Sequence, residues 1–173
     1  MNKRFVPYCV AQSIYEIEPA FFQKHKVKTL FVDLDNTLDA YDTLSPSQRA
    51  KDLKRQLENL GIEIIVVSNN TKKRVSNYAI ELGVKYIYSL GKPFAFKLKR
   101  FINRENIDLD KTMMIGDQII TDVCCGNGAG IRTILTHKIV EEDQWTTTFN
   151  RLFDNPRYRK MAKKQLLINW RNR

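Results

Sequence analysis

Four aspartates fall close together in the run KTLFVDLDNTLDAYD, residues 28–42: Asp33, Asp35, Asp39 and Asp42. Carboxylates this near one another repel unless a cation or a set of donors compensates them. Three further polar sets follow apolar runs in the same manner. They are Ser68-Asn69-Asn70, Gly91-Lys92-Pro93, and Gly116-Asp117 with Asp122 beyond it. Acids, a hydroxyl and a lysine meeting at one place make a site for a hard cation and a phosphate. Mg2+ takes one or two protein carboxylates, several waters and a phosphate oxygen, and Asp33 and Asp117 are the expected direct ligands. A carboxylate can also attack phosphorus to give an aspartyl-phosphate. A second carboxylate must then protonate the leaving oxygen and later take a proton from water. Asp33 as nucleophile and Asp35 as acid/base fit this division. Ser68, with Asn69 beside it and nearby backbone N–H groups, would hold the phosphoryl oxygens. Lys92 would neutralise charge on the phosphate and on Asp33.

Each set alone fits ordinary turn chemistry, with Asp or Ser as a cap or turn residue. The argument rests on their order and on what precedes them. Strand-like runs cover residues 29–33, 62–67, 84–88, 112–115 and 132–135, rich in β-branched and apolar side chains. Between them lie helix-like stretches. SPSQRAKDLKRQLENLG has Leu53, Leu57 and Leu60 at helical spacing, TKKRVSNYAIELG runs from Thr to Gly, and KPFAFKLKRFINREN repeats apolar residues at three and four. Strands alternating with helices of this length imply an α/β, doubly wound, Rossmann-like parallel sheet of about five strands. In such sheets ligands bind outside the carboxyl ends of the strands. All four polar sets fall at that edge.

The 173 residues suit one domain, with residues 1–27 and 138–173 appended to a core of about 28–137. No apolar run reaches the roughly 20 residues that span a bilayer, and the N-terminal residues lack the apolar core of a signal peptide. Cys9, Cys124 and Cys125 make neither a disulfide framework nor a zinc spacing. The expectation is a reducing, cytoplasmic setting. The net charge of +10 favours anionic partners: nucleic acid, an anionic membrane or small phosphates.

On these motifs the chain resembles the haloacid dehalogenase-like (HAD) phosphatase superfamily. DLDNT is similar to its first motif, VVSNN to its second, GKP to its third and IGDQIITD to its fourth. The resemblance implies Mg2+, with Asp33 as nucleophile and Asp35 as acid/base, and with Asp35 also giving its backbone carbonyl to the metal. It implies that Thr37 orients Asp35 and that Asp117 is a direct ligand supported by Asp122. Only one helix fits between Asp35 and Ser68, and one helix and one strand between Ser68 and Lys92, so no cap domain is expected. Capless relatives act on substrates too large to enclose, or are covered by a partner. Within the superfamily the chain most resembles the YqeG-like group of subclass IIIA, which implies phosphatidylglycerophosphate as substrate. That group carries a Gly-Gly-Asn-Arg run after the fourth motif, where this chain has Cys125-Gly126-Asn127-Gly128.

The segment 151–173 holds eight Lys or Arg against one acid, Asp154. Its helical spacing puts Tyr158, Met161, Ala162 and Leu166 on one stripe, and Lys160, Lys163, Lys164 and Arg171 largely opposite. Three readings stand: a helix docked on the domain, a basic helix lying on an anionic membrane, or a nucleic-acid contact. Trp145 and Trp170 suit an interface or a core. The partner expected is an anionic phospholipid or membrane surface, possession of which would make the protein peripheral on the inner face. No stable nucleic-acid complex is expected. Two alternatives are kept, a phosphatase for nucleic-acid ends, nucleotides or other soluble phosphates, and a non-catalytic binding module.

Overall fold

The computed structural model describes residues 2–139 and 145–173, with side chains up to 139 and again from 154. The run TLFVD forms β2 (Thr29–Asp33) and is buried at every position, as the apolar Leu30–Val32 requires of a central parallel strand. Around it a six-stranded, wholly parallel sheet is ordered β1-β6-β5-β2-β3-β4. Its other strands are β1 (Cys9–Ala11), β3 (Glu63–Val67), β4 (Lys85–Ile87), β5 (Thr112–Gly116) and β6 (Arg132–Thr136). After β2 the chain builds outward through β3 and β4, then crosses back to place β5 on the opposite side of β2. That reversal opens a crevice at the carboxyl end of β2.

The helices α1 (Pro19–Lys24), α2 (Gln48–Asn59) and α3 (Lys72–Leu82) cover one face; α4 (Phe96–Arg104) and α5 (Cys124–Ala129) cover the other. Successive residues of β2 divide between them. Leu30 and Val32 pack with Phe22, Leu57 and Tyr78, while Phe31 packs with Leu98, Ile102 and Cys125. The helix boundaries follow the sequence signals. The Ser47 hydroxyl accepts from Ala50 N–H at the start of α2, and the Thr71 hydroxyl from Arg74 N–H at the start of α3. Gly83 closes α3 at φ +75°, a left-handed position that suits glycine. Among the described residues, α2 alone links β2 to β3 and α3 alone links β3 to β4, so no cap domain is inserted at either place.

The sheet has six strands where five are expected from sequence. The sixth, β1, comes from residues 1–27, expected as an appendage. It pairs with β6 in register Cys9↔Ile134, and Val10 N–H also donates to Ile168 O. Three residues are too few to show a period, and the partner lies far along the chain.

The C-terminal segment is likewise part of the packing. Helix α6 (Trp145–Lys163) begins before Pro156 and runs through it. Met161 is fully buried, and Tyr158 and Leu166 pack beside it against Ile119, Val123 and Leu135, while Ala162 stays exposed. Trp170 is buried, edge-on to Phe21 at 5.8 Å. The side chain of Trp145 lies outside the described residues. Cys9, Cys124 and Cys125 are buried free thiols.

Candidate active site

Register brings the polar sets together. Asp33 ends β2 opposite Val67 of β3, and Val32 lies opposite Ile115 of β5, so the three strands finish level. Asp33, Ser68 and Asp117 therefore emerge at one edge. After Asp33 the chain turns sharply through Asn36 at φ +67°, a conformation asparagine tolerates better than most residues. Leu34, between the two aspartates, is fully buried. Gly116 has a steric purpose. A Cβ there would lie 2.3 Å from Cγ of Asp122, so only glycine lets that carboxylate fold back over the end of β5. A π-helical turn, Ile119–Val123, then presents Asp122, whose Oδ2 accepts from Gln118 N–H at 3.1 Å and from the Thr121 hydroxyl at 3.2 Å.

At the centre, the Lys92 ammonium bridges two buried carboxylates. It donates to Asp33 Oδ1 and, at 2.6 Å, to Asp122 Oδ1. Asp33, Asp117 and Asp122 each offer an oxygen within 4.8 Å of the others'. Lys92 thus pairs directly with Asp33 and Asp122, and Asp117 brings a third carboxylate to the same small space. Burial drives the Asp33 carboxyl well above the usual carboxylate range; Lys92 opposes the shift, and Asp122, Asp117 and Asp35 add to it. Burial works to lower the pKa of Lys92, but Asp122 and Asp33 outweigh it and hold the ammonium charged. A divalent cation on the three carboxylates would favour ionised Asp33, so the all-oxygen donor set fits a hard metal ion.

Asp35 lies apart from this cluster and is more open, with its side chain 21% exposed against 8% for Asp33. Its holders differ from those expected. Arg74 Nη2 donates to Oδ1 at 3.0 Å, and Asn70 Nδ2 and the Ser68 hydroxyl approach Oδ2 at 3.3 and 3.5 Å. The Thr37 hydroxyl, expected to orient Asp35, is instead 3.5 Å from Asp33 Oδ2. Asn69, expected to hold phosphate, uses its amide to fix the loop that carries Lys92. Its Oδ1 accepts from Gly91 and Lys92 N–H at 3.0 and 2.8 Å, and its Nδ2 donates to Lys92 O at 2.9 Å. Asp39 is structural. Buried, it accepts from the Tyr78 hydroxyl at 2.6 Å and from Ser47 N–H at 2.9 Å, which anchors the entry to α2.

Three contributors were not visible as such in the sequence. Arg74 reads there as one more cation in TKKR, although its place one turn into the helix after β3 is a usable signal. Asp154 reads as a lone acid in a basic tail. It is buried, and its carboxylate accepts from the amides of Ile119 and Ile120, both at 2.9 Å, at the start of the turn that presents Asp122. Arg4 arrives from the other end of the chain. Its guanidinium lies 3.1–3.2 Å from where a Cβ on Gly128 would stand, and donates to Cys124 O and Pro93 O. Arginine thus covers position 128 without being encoded there.

Comparison with known proteins agrees with this geometry. A family model described as HAD-hydrolase-like matches residues 89–152. The chain is 32% identical over 151 residues to the Bacillus subtilis protein named "Probable phosphatase YqeG", covering 87% of this chain and 88% of that one. In fold it is similar to an uncharacterised protein of Listeria monocytogenes serotype 4b, at 17% identity and TM-score 0.54, covering 80% of this chain and 99% of the other. It is also similar in fold to a Vibrio cholerae protein described as a 3-deoxy-D-manno-octulosonate 8-phosphate phosphatase, at 21% identity and TM-score 0.50, covering 64% and 68%. The chain therefore belongs to the HAD-like hydrolases, among the phosphatases related to YqeG.

Proposed function

We propose that this phosphatase removes the terminal phosphate of phosphatidylglycerophosphate at an anionic membrane surface, with Mg2+, leaving phosphatidylglycerol. The observation that carries the reading is the pairing of a buried Asp33–Lys92–Asp122 centre with an edge that no cap domain encloses. A bulky phosphate ester can present one end to such an edge while the rest stays outside. The chain's net charge of +10 supports an anionic partner. The reading is of a peripheral protein on the cytoplasmic face; no helix among the described residues is long and apolar enough to cross a membrane.

Asp33 attacks phosphorus in line with the ester oxygen. The new Asp33–phosphorus bond forms as the bond to the leaving alcohol breaks, and Asp35 gives its proton to that oxygen. Asp35 then takes a proton from water, which attacks the aspartyl-phosphate; phosphate leaves and Asp33 is restored. Lys92 holds charge beside Asp33 throughout, and the Ser68 hydroxyl and adjacent amides receive the phosphoryl oxygens. Arg74 and Asn70 keep the Asp35 carboxylate at the open side, where the leaving group must pass. Asp33, Asp117 and Asp122, with the Asp35 carbonyl, would hold Mg2+, which when bound supplies positive charge for the transferring phosphoryl group.

Phosphate release should be measured on phosphatidylglycerophosphate, nucleotides, 5′-phosphorylated oligonucleotides and phosphopeptides. The expected result is a kcat/KM for the lipid at least tenfold above the others. Preference for nucleotides or oligonucleotide ends would replace the lipid by a soluble or nucleic-acid phosphate.

A further inference from the structure

The catalytic lysine is followed at once by an exposed apolar turn. Two residues beyond Lys92, Phe94 is 69% exposed, and Phe96, at the first position of α4, is 65% exposed. Large apolar side chains this open and this close in sequence are a marked departure from a solvated loop. Their surroundings are cationic. From residue 89 to 104 the chain carries Lys92, Lys97, Lys99, Arg100 and Arg104 and no acid. Phe96 lies between two grooves. Phe94 and Phe96 line the first, of about 850 Å³, with Lys3, Arg4 and Lys99; Tyr88, Lys97 and Arg100 share the second with Phe96. Among the described residues, no Asp or Glu lines the first groove.

We infer that the Phe94–Phe96 turn and the lysines and arginines around it form a docking surface for a bilayer containing anionic phospholipid. The two phenyl groups enter the acyl boundary, and Lys3, Lys97, Lys99 and Arg100 meet the headgroup phosphates. The arrangement joins what interfacial binding requires: apolar area that can leave water and positive charge beside it. It also sets direction, because docking there brings the Lys92 loop, and with it the open edge beside Asp35, to the lipid plane. The C-terminal helix is poorly suited to the apolar part of this task. Among the described side chains there, Tyr158, Met161 and Leu166 are already packed against Ile119, Val123 and Leu135, and Lys160, Lys163 and Lys164 are exposed. The inference rests on the lipid reading for its purpose but not for its test.

The full chain should be sedimented with vesicles of pure phosphatidylcholine and of phosphatidylcholine containing phosphatidylglycerol, at low and high salt. The wild type should bind the anionic vesicles, and less at high salt. Phe94→Ser with Phe96→Ser should weaken that binding at least about tenfold. It should leave hydrolysis of p-nitrophenyl phosphate unchanged, which shows that the variant is folded. Lys97→Gln with Lys99→Gln and Arg100→Gln, a second variant in the same assay, should also weaken binding and flatten its salt dependence. Changing Lys160, Lys163 and Lys164 to Gln should have the smaller effect. Undiminished binding by both surface variants would overturn the inference, as would failure of the wild type to bind. So would a loss of oligonucleotide binding or of self-association by the Phe94/Phe96 variant with vesicle binding intact. Because phosphatidylglycerol carries no terminal phosphate, these outcomes are independent of whether the enzyme hydrolyses phosphatidylglycerophosphate in detergent.

Discussion

Removing the Asp154 carboxylate tests how the C-terminal helix supports the active site. In Asp154→Ala, the amides of Ile119 and Ile120 lose acceptors that lie 2.9 Å away. Both belong to the opening of a helical turn, where no earlier carbonyl of the turn replaces the lost acceptor. A buried amide without a partner costs about 1–3 kcal/mol. Ile119 is buried and Ile120 partly open to water, so the expected loss is about 2–4 kcal/mol, or roughly 5–15 °C in melting temperature for a chain of this size. The turn also presents Asp122, so turnover should fall several-fold. Burial pushes the Asp154 pKa up to about 6, against the pull of the two amides. A carboxyl whose folded pKa is raised stabilises the fold most below its unfolded value, and that contribution is lost as pH rises through about 6. Urea denaturation of wild type and Asp154→Asn from pH 7 to pH 4 isolates this term, because the other titrating groups are common to both. The gap should shift in favour of the wild type on acidification by about 2 kcal/mol. A loss below about 0.5 kcal/mol in Asp154→Ala, with a gap that does not change with pH, would refute the reasoning.

Asp33→Asn should lower turnover at least a thousandfold, since an amide is a poor nucleophile; a rate above a tenth of wild type in a phosphate-release assay excludes the assignment. Exhaustive chelation should abolish activity and added Mg2+ should restore it, with Asp117→Ala shifting the Mg2+ requirement upward; activity that survives chelation excludes the metal. Arg74→Gln should reduce hydrolysis of an alkyl phosphate, whose leaving oxygen needs the Asp35 proton, far more than that of p-nitrophenyl phosphate. Equal losses on both substrates would mean that Arg74 supports the fold without positioning Asp35. Lys92→Met leaves Asp33 and Asp122 buried against each other and should destabilise the protein by about 3–5 kcal/mol, read from urea denaturation at pH 7.

The strands that carry chemistry were legible because a parallel strand buried on both faces is apolar along its middle, as Leu30–Val32, Ile64–Val67 and Met113–Ile115 are. The polar residues that interrupt those runs stood out against them, and Asp33, Ser68, Lys92 and Asp117 all lie at the same edge. What could not be read were side-chain directions and distant pairings. Asn69 follows Ser68 and so shared its expected role, yet its amide faces the Lys92 loop. Thr37 is near both aspartates in sequence, and only the turn through Asn36 decides that it meets Asp33. Arg74 and Asp154 are charged residues in charged segments, where solvation is the ordinary expectation. Their burial depends on acceptors and donors brought from other parts of the chain.

The pairing of β1 with β6 has a consequence for synthesis of the protein. Cys9–Ala11 meets Arg132–Thr136, and Val10 is completed by Ile168, so this strand must wait for more than a hundred residues to leave the ribosome. At about 5–20 residues per second, the interval is of the order of ten seconds. During it β2 to β5 can already condense, since their pairings are all made within residues 29–116. The outer edge of β5 stands unpaired until β6 emerges, and that of β6 until β1 folds onto it; an open parallel edge invites another chain to add a strand. The nascent protein therefore passes through a stage in which the enzymatic core is nearly built but association-prone. A fusion or deletion that hinders residues 8–11 would prolong that stage, and would show as aggregation during expression before any loss of catalytic chemistry.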